Sequence, residues 1–301
     1  SILSATRDLA VALVDVTQHV ARLTEAIATL LLPHELKDHP EAEPLVKSGA
    51  AIAFNNVTFG YPGGAKIFER FSLRLQPGQR VGLVGQSGGG KSTLFTLLQR
   101  FYDVDEGSVT VEGSVVKGTH PAIGMVFQEE STFPWRTVQD NVAFPLELAG
   151  QPKAERLERA RHFIDLVGLS GFERRYPSEL SGGMRQRVAI ARTLASEPRI
   201  LLMDEPFAAL DEQTRLLLGD KVLQIQQALK QTTLLITHNL TEAVQLSDRV
   251  LVMTYRPGRM KRAVAIDLPR PRDSEVVSSD AFGRYVAEIW QDLREEASRG
   301  I

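Results

Sequence analysis

The sequence predicts an α/β fold, a largely parallel sheet covered by helices, and three observations carry that expectation. Short apolar runs recur at Val81–Val84, Ile123–Phe127, Ile200–Met203, Leu234–Ile236 and Val250–Met253. They are rich in β-branched and aliphatic residues without polar alternation, the pattern of strands buried on both faces. Helical stretches separate several of them, as crossovers between parallel strands require. The chain has 301 residues, 43% hydrophobic and 24% charged, which supplies ample material for a core.

Taken in order, residues 4–32 read as one helix. Leu9, Leu13, Val16, Val20, Leu23, Ile27 and Leu30 form its apolar stripe, and Asp8, Asp15, Arg22 and Glu25 fall near heptad spacing. Such a stripe fits either a helix packed on its own domain or one docked on a membrane partner. Pro33 and the segment through Pro40, Pro44 and Gly49 read as a linker, closing an N-terminal region of 1–49. Ile52–Phe54 and Val57–Phe59 then read as short strands before the turn Tyr61-Pro62-Gly63-Gly64, and Phe71–Leu75 alternates with period two ahead of Pro77-Gly78. Residues 129–195 look mostly helical, with no clear strand. After Arg262, Pro269 and Pro271 open a tail over 269–301 with a last helix at Phe282–Glu296, which leaves 50–268 as the central domain.

Composition excludes several classes. Thirty-five basic against 37 acidic residues give a formal charge of −2, so no overall basic footprint for nucleic acid exists and none is expected as a partner. The absence of cysteine excludes disulfides and thiolate metal sites. No apolar run reaches the roughly 18 residues a membrane helix needs; Asp15, His19, Arg22 and Glu25 interrupt the best candidate. No membrane span and no secretory signal are expected.

The most informative stretch follows the run Val81–Val84: Gly85, Gln86, Ser87, Gly88, Gly89, Gly90, Lys91, Ser92 and Thr93, then the apolar helical positions Leu94, Leu97 and Leu98. A strand, G-x-x-x-x-G-K-S and a helix form the context in which glycines let successive N–H groups point at phosphate oxygens. The helix adds the positive end of its dipole. Lys91 is expected to reach the β- and γ-phosphates of a nucleotide, and the Ser92 hydroxyl to ligate Mg²⁺. A second element ends at Asp204, Glu205 and Pro206, two acids delivered by the run Ile200–Met203. Adjacent acids at the end of a buried strand are costly unless a cation or solvent meets them. Asp204 is therefore expected to hold Mg²⁺, and Glu205 to polarise an attacking water.

Leu180-Ser181-Gly182-Gly183-Met184-Arg185-Gln186-Arg187 lies just ahead of that second element. Ser181, Gly182 and Gly183 offer a hydroxyl and backbone N–H groups at a helix start, a combination suited to phosphate, although the same residues also serve as a plain cap. Together with the two phosphate motifs they resemble the signature of the ABC (ATP-binding cassette) superfamily, in the family's order across residues 61–238. The resemblance implies an ABC cassette with a RecA-like P-loop NTPase core, an antiparallel β subdomain and a helical subdomain. It implies ATP and Mg²⁺ as cofactors, and a head-to-tail homodimer in which Ser181, Gly182 and Gly183 reach the γ-phosphate held by the other subunit. By the same resemblance Tyr61 is the aromatic that stacks on adenine and Gln128 the glutamine that senses Mg²⁺ and water. Asp211 in Ala209-Leu210-Asp211 belongs to the D-loop, and His238 is the switch histidine at the γ-phosphate. Met184 departs from the glutamine many members carry; nitrate, sulfonate and taurine importer ATPases share it.

Finer resemblance divides the chain near Gly113. Residues 1–113 are similar to exporter half-transporters, through Asn56–Pro62 and Leu98–Asp103. Residues 114–301 resemble nitrate/sulfonate/taurine-type importer ATPases, through Val126–Gln128, Phe133–Val138, Asn141-Val142, Arg256–Arg259 and Asp267–Arg272. The implied partner is an integral membrane permease, with the chain peripheral on the cytoplasmic face of the cell membrane. The competing expectations are the cytosolic portion of an exporter, a non-transport ABC ATPase, and a module that binds without hydrolysing. The interval from Lys91 to Asp204 carries no sustained heptads, against the repair type. Glu205 and His238 speak against the non-hydrolysing module.

Overall fold

A computed structural model describes residues 51–299. The helix expected over 4–32 and the linker after it lie outside the described residues. β1 (Ile52–Gly60), β2 (Lys66–Leu75), β4 (Glu106–Val111) and β5 (Ser114–Val115) form an antiparallel sheet in the order β2-β1-β4-β5. β3 (Arg80–Gly85), β6 (Ile123–Val126), β7 (Ile200–Asp204), β8 (Thr232–Ile236), β9 (Arg249–Met253) and β10 (Met260–Ala265) form the second sheet, ordered β10-β9-β3-β8-β7-β6. Its four pairings from β9 to β6 are parallel, and β10 closes one edge antiparallel to β9. The expected parallel core and antiparallel β subdomain are both present.

Several element readings change. Ile52–Phe54 and Val57–Phe59 belong to one strand whose register breaks between Phe54 and Val57, where Asn56 takes φ 47°. The bulged backbone lies close over Gly107, where a Cβ would fall 2.4 Å from the Asn55 carbonyl, so no other residue fits there. β2 begins at Lys66, ahead of the expected Phe71. β4, β5 and β10 were not expected at all; β10 carries Lys261 and Arg262 on an edge, where charge is tolerated because one face meets solvent.

The helices are α1 (Lys91–Leu98), α2 (Val138–Leu148), α3 (Lys153–Leu166), α4 (Gly182–Ala195), α5 (Glu212–Leu229), α6 (Leu240–Leu246), α7 (Ser274–Val277) and α8 (Asp280–Arg299). Three apolar clusters organise them. The first joins α2, α3 and α4 to one face of β7 through Val142, Ile164, Ile190 and Leu201. The second packs the antiparallel sheet and α1 on the other face of the parallel sheet through Phe54, Phe68, Leu83 and Leu94. Each fully buried Leu or Phe of these clusters contributes roughly 1.5–3 kcal/mol. The third lays Phe282 and Ile289 of α8 against Val84, Val250 and Val252, so the C-terminal helix is part of the packed body.

Buried polar links hold that tail in place. Arg272 is 1% exposed and donates to the carbonyls of Val244 and Gln245 at 2.7 and 3.4 Å, to Ser247, and to Ile266 at 2.9 Å. These include carbonyls that α6 leaves unpaired at its C-terminus. Burial and the neighbouring Arg270 pull its guanidinium down to about 10.

Candidate phosphate and water site

The loop after β3 has little room for side chains. Gly88 and Gly90 hold φ 80° and 94°, backbone that L-residues rarely adopt. A Cβ on Gly90 would lie 2.4 Å from Ile67 Cγ2, and one on Gly89 3.0 Å from the Thr254 carbonyl. The Thr254–Arg259 segment supports the loop from outside, with Arg256 Nε donating to Gly88 O at 2.9 Å and Gly258 N to Ile67 O at 2.7 Å. Gly85 to Gly90 therefore trace a backbone cradle, and Ser87 is exposed at its rim beside Gln86. Lys91, 9% exposed, donates from Nζ to Gly85 O and Gln86 O at 2.8 Å each. Burial lowers the pKa of its ammonium, while Glu205 and Asp204 push it back up.

Ser92 is exposed next to Lys91 and hydrogen-bonds Asp204. Asp204 ends β7 opposite Ile236 of β8 and is 8% exposed. Burial raises the pKa of its carboxyl, the Ser92 bond lowers it, Glu205 raises it and Lys91 lowers it. The next residue leaves the strand: Glu205 takes φ 46°, a conformation that costs about 1–3 kcal/mol and persists where surroundings enforce it. Its N–H bonds Ile236 O at 2.8 Å, which fixes the turn. The carboxylate Oε2 then meets Gln128 Nε2 at 3.3 Å and His238 Nδ1 at 3.1 Å. Three residues expected from distant parts of the sequence converge on one oxygen.

Tyr61 is half-buried, edge-on to Phe59 and Tyr102 at 5.1 Å each, and its hydroxyl lies 3.2 Å from Thr93 Oγ1. It stands beside α1, fixed by aromatic neighbours. Asp211 caps α5, accepting from Thr214 N at 2.9 Å and Thr214 Oγ1 at 2.7 Å. The Thr214 backbone bond leads the effects that hold its carboxyl below the usual range.

Ser181 is the N-cap of α4, accepting from Met184 N at 3.3 Å, and Gly182 and Gly183 begin the helix. A Cβ on Gly182 would lie 2.8 Å from a Glu130 carboxylate oxygen, and one on Gly183 3.2 Å from Ala209 O. Among the described residues no hydrogen bond or ion pair joins this turn to residues 85–93. The structure brings the loop, both acids, Gln128 and His238 together. Sequence reasoning missed Gln186, buried on α4, which donates to Phe127 O at 3.1 Å and Pro206 O at 3.0 Å. It also missed Asn141, fully buried, which ties the loop Phe133–Thr137 to α2 by accepting from Phe133 N and donating to three carbonyls.

The site suits a nucleotide with Mg²⁺. Glycines leave space for phosphate, and a hydroxyl and a buried carboxylate face each other beside it. Among the described residues no group of three or more His, Cys, Asp or Glu is placed to hold a metal ion by itself. Among the described residues no helix is long and apolar enough to cross a membrane.

The family model described as "ABC transporter" matches residues 68–208. An uncharacterized ABC transporter ATP-binding protein of Methanocaldococcus jannaschii is 49% identical over 78% of this chain and 87% of its own length. A nitrate import ATP-binding protein of Synechocystis is 42% identical over 80% of this chain and 92% of its length. Among solved structures, a dimeric ATP-binding cassette in a post-hydrolysis state with ADP and Pi superposes with TM-score 0.65 and 28% identity. That match covers 71% of this chain and 98% of the cassette. A bacterial Atm1-family exporter with ATP bound superposes with TM-score 0.70 and 29% identity, over 92% of this chain and 48% of the exporter.

Proposed function

The chain belongs to the ABC transporter ATP-binding family, an ATP-hydrolysing nucleotide-binding subunit, and on that premise we propose how its residues perform hydrolysis and what they drive. One observation carries the mechanism: Gln128, Glu205 and His238 meet at one carboxylate oxygen, next to a glycine cradle holding Lys91. Water attacks the γ-phosphorus in line, the bond to the β,γ-bridging oxygen breaks, and ADP and phosphate leave. Glu205 accepts a hydrogen bond from the attacking water and draws off its proton. Gln128 orients that carboxylate and water together. Lys91 and the N–H groups of residues 85–93 bind the β- and γ-phosphates, and His238 donates to the γ-phosphate as charge builds on it. Ser92 and Asp204, with Gln128 beside them, would hold Mg²⁺, which when bound supplies charge neutralisation at the phosphates. Tyr61 supports the adenine.

Ser181, Gly182 and Gly183 complete the site of a second copy, and Asp211 lies at that contact. The dimeric cassette neighbour supports this assembly. The pair works on the cytoplasmic face of the cell membrane against a separate permease, in the import direction of the nitrate relative. Trp135 and Leu148 in the helical region, each 73% exposed, offer the apolar surface such a partner would cover.

The deciding experiment is Glu205→Gln. It should bind ATP, dimerise, and lose at least about 100-fold in phosphate release; turnover at the wild-type rate would remove Glu205 from its role.

A further inference from the structure

Gln186 lies on α4, the helix that Ser181 caps, and is 1% exposed. Its single amide nitrogen donates to two carbonyls that are far apart in sequence, Phe127 O at 3.1 Å and Pro206 O at 3.0 Å. Phe127 immediately precedes Gln128, and Pro206 immediately follows Glu205. One side chain thus grips the backbone beside two of the three groups that meet at the Glu205 carboxylate. Among the described residues neither carbonyl takes a backbone hydrogen bond.

α4 is fastened to the same region at further points, Arg192 to Ser131 Oγ at 2.7 Å among them. Thr193 Oγ1 donates to Met125 O at 3.0 Å, and Arg185 is ion-paired with Glu130. These hold the strand before Gln128 and the loop after it. Among the described contacts of α4, the Gln186 bonds are the ones that reach both loops carrying reacting groups. An N–H pair donating to two carbonyls, one buried and one part-buried, is a role that an apolar isostere cannot fill, and losing it leaves both carbonyls to find other partners by moving.

We propose that Gln186 is a positioning residue for hydrolysis, setting the spacing of Gln128 and Glu205 according to where the Ser181 helix sits. The inference rests on the roles given above to Gln128 and Glu205. Its consequence is directional. A nucleotide bound by the Ser181 turn belongs to the other copy's site, so its grip on α4 reaches this copy's water-orienting pair through one amide.

The test is Gln186→Met in the full chain, with hydrolysis scored per ATP-loaded dimer, so that partly folded protein does not count as slow enzyme. Gln186→Glu accompanies it, because it keeps the shape yet cannot donate to two carbonyls. Gln231→Met serves as the structural control: Gln231 is equally buried and donates to Pro198 O at 2.6 Å in a loop outside the site.

Both Gln186 variants should lose about 10- to 100-fold in kcat, the scale of small misplacements at a reacting centre. KM for ATP and ATP-driven dimerisation should stay within about twofold, the mark of an interaction felt only at the transition state. Gln231→Met should lower Tm and keep kcat. The proposal is overturned by wild-type kcat in Gln186→Met, by KM rising in step with the loss, or by an equal kcat loss in Gln231→Met. Wild-type turnover in Glu205→Gln, measured alongside, would instead overturn the reading of the site itself.

Discussion

Two anion cradles occur in this chain, each built from serine and glycine at the start of a helix, and they differ in how far the chain itself completes them. The loop of residues 85–93 is enclosed: Ile67, Phe68, Met253, Thr254 and Gly258 crowd its glycines, and Lys91, Ser92 and Asp204 supply charge and hydroxyl. At the Ser181 turn the serine is exposed, and the group nearest to Gly182 is a side-chain carboxylate, that of Glu130, rather than backbone. The difference teaches that sequence likeness between phosphate-binding turns says little about their energetics. One is a crowded socket whose left-handed glycines and buried charge cost stability, whereas the other, in the assembly proposed above, becomes a binding element only when a second copy brings a phosphate to it.

The sharpest way to break that comparison is to mix two inactive variants. Lys91→Ala disables the enclosed cradle and Ser181→Arg the open one, each lowering hydrolysis by about 100-fold or more alone. In a head-to-tail dimer a mixed pair keeps one intact site, so an equimolar mixture should recover about a quarter of wild-type turnover. A mixture no better than its components would show that both cradles act on one nucleotide within a chain.

Stability should separate the two cradles next. Gly90→Ala forces a Cβ into Ile67 at a left-handed position and should cost about 3 kcal/mol or more, seen as a large fall in the denaturation midpoint. Gly182→Ala asks only that the Glu130 side chain shift, and alanine is the better helix former, so its cost should stay below about 1 kcal/mol. Equal losses would refute the contrast between socket and surface.

The smallest effect has the opposite sign. Burial raises the pKa of the Asp204 carboxyl, so its charged form costs folding free energy at neutral pH, a cost that fades as pH falls through the raised value. Asp204→Asn keeps an acceptor for Ser92 and should raise Tm by a few degrees, on the order of 1 kcal/mol, when measured without nucleotide or Mg²⁺, while abolishing turnover. A gain that persists at acid pH would assign the effect to something other than charge.

The enclosed cradle was legible in the sequence because its parts are contiguous: strand, glycines, lysine and helix follow within a dozen residues. Gln128 and His238 were legible only through the family's order, since a glutamine or histidine at a strand end carries no local signal. β4 and β10 escaped because Gly107 interrupts one and Lys261-Arg262 charge the other, both consequences of lying where the pattern of a half-buried strand is weakest. Gln186 stood in plain view inside the Ser181 motif, yet its partners, Phe127 and Pro206, exist as neighbours only after folding. The division into exporter-like and importer-like halves has no counterpart in the packing, because the second apolar cluster runs from Ile52 to Met253 across residue 113.

The buried guanidinium of Arg272 turns the C-terminal stretch from an appendage into a splint. Clipping the polypeptide just after Leu268 would remove the donor that satisfies Val244, Gln245 and Ser247 and would expose the apolar bed under Phe282. The helix so loosened is the one that follows His238 directly. Shortening the chain to its motif-bearing portion would therefore release the far end of the helix whose near end follows the histidine, a cut that acts on the site through the length of that helix.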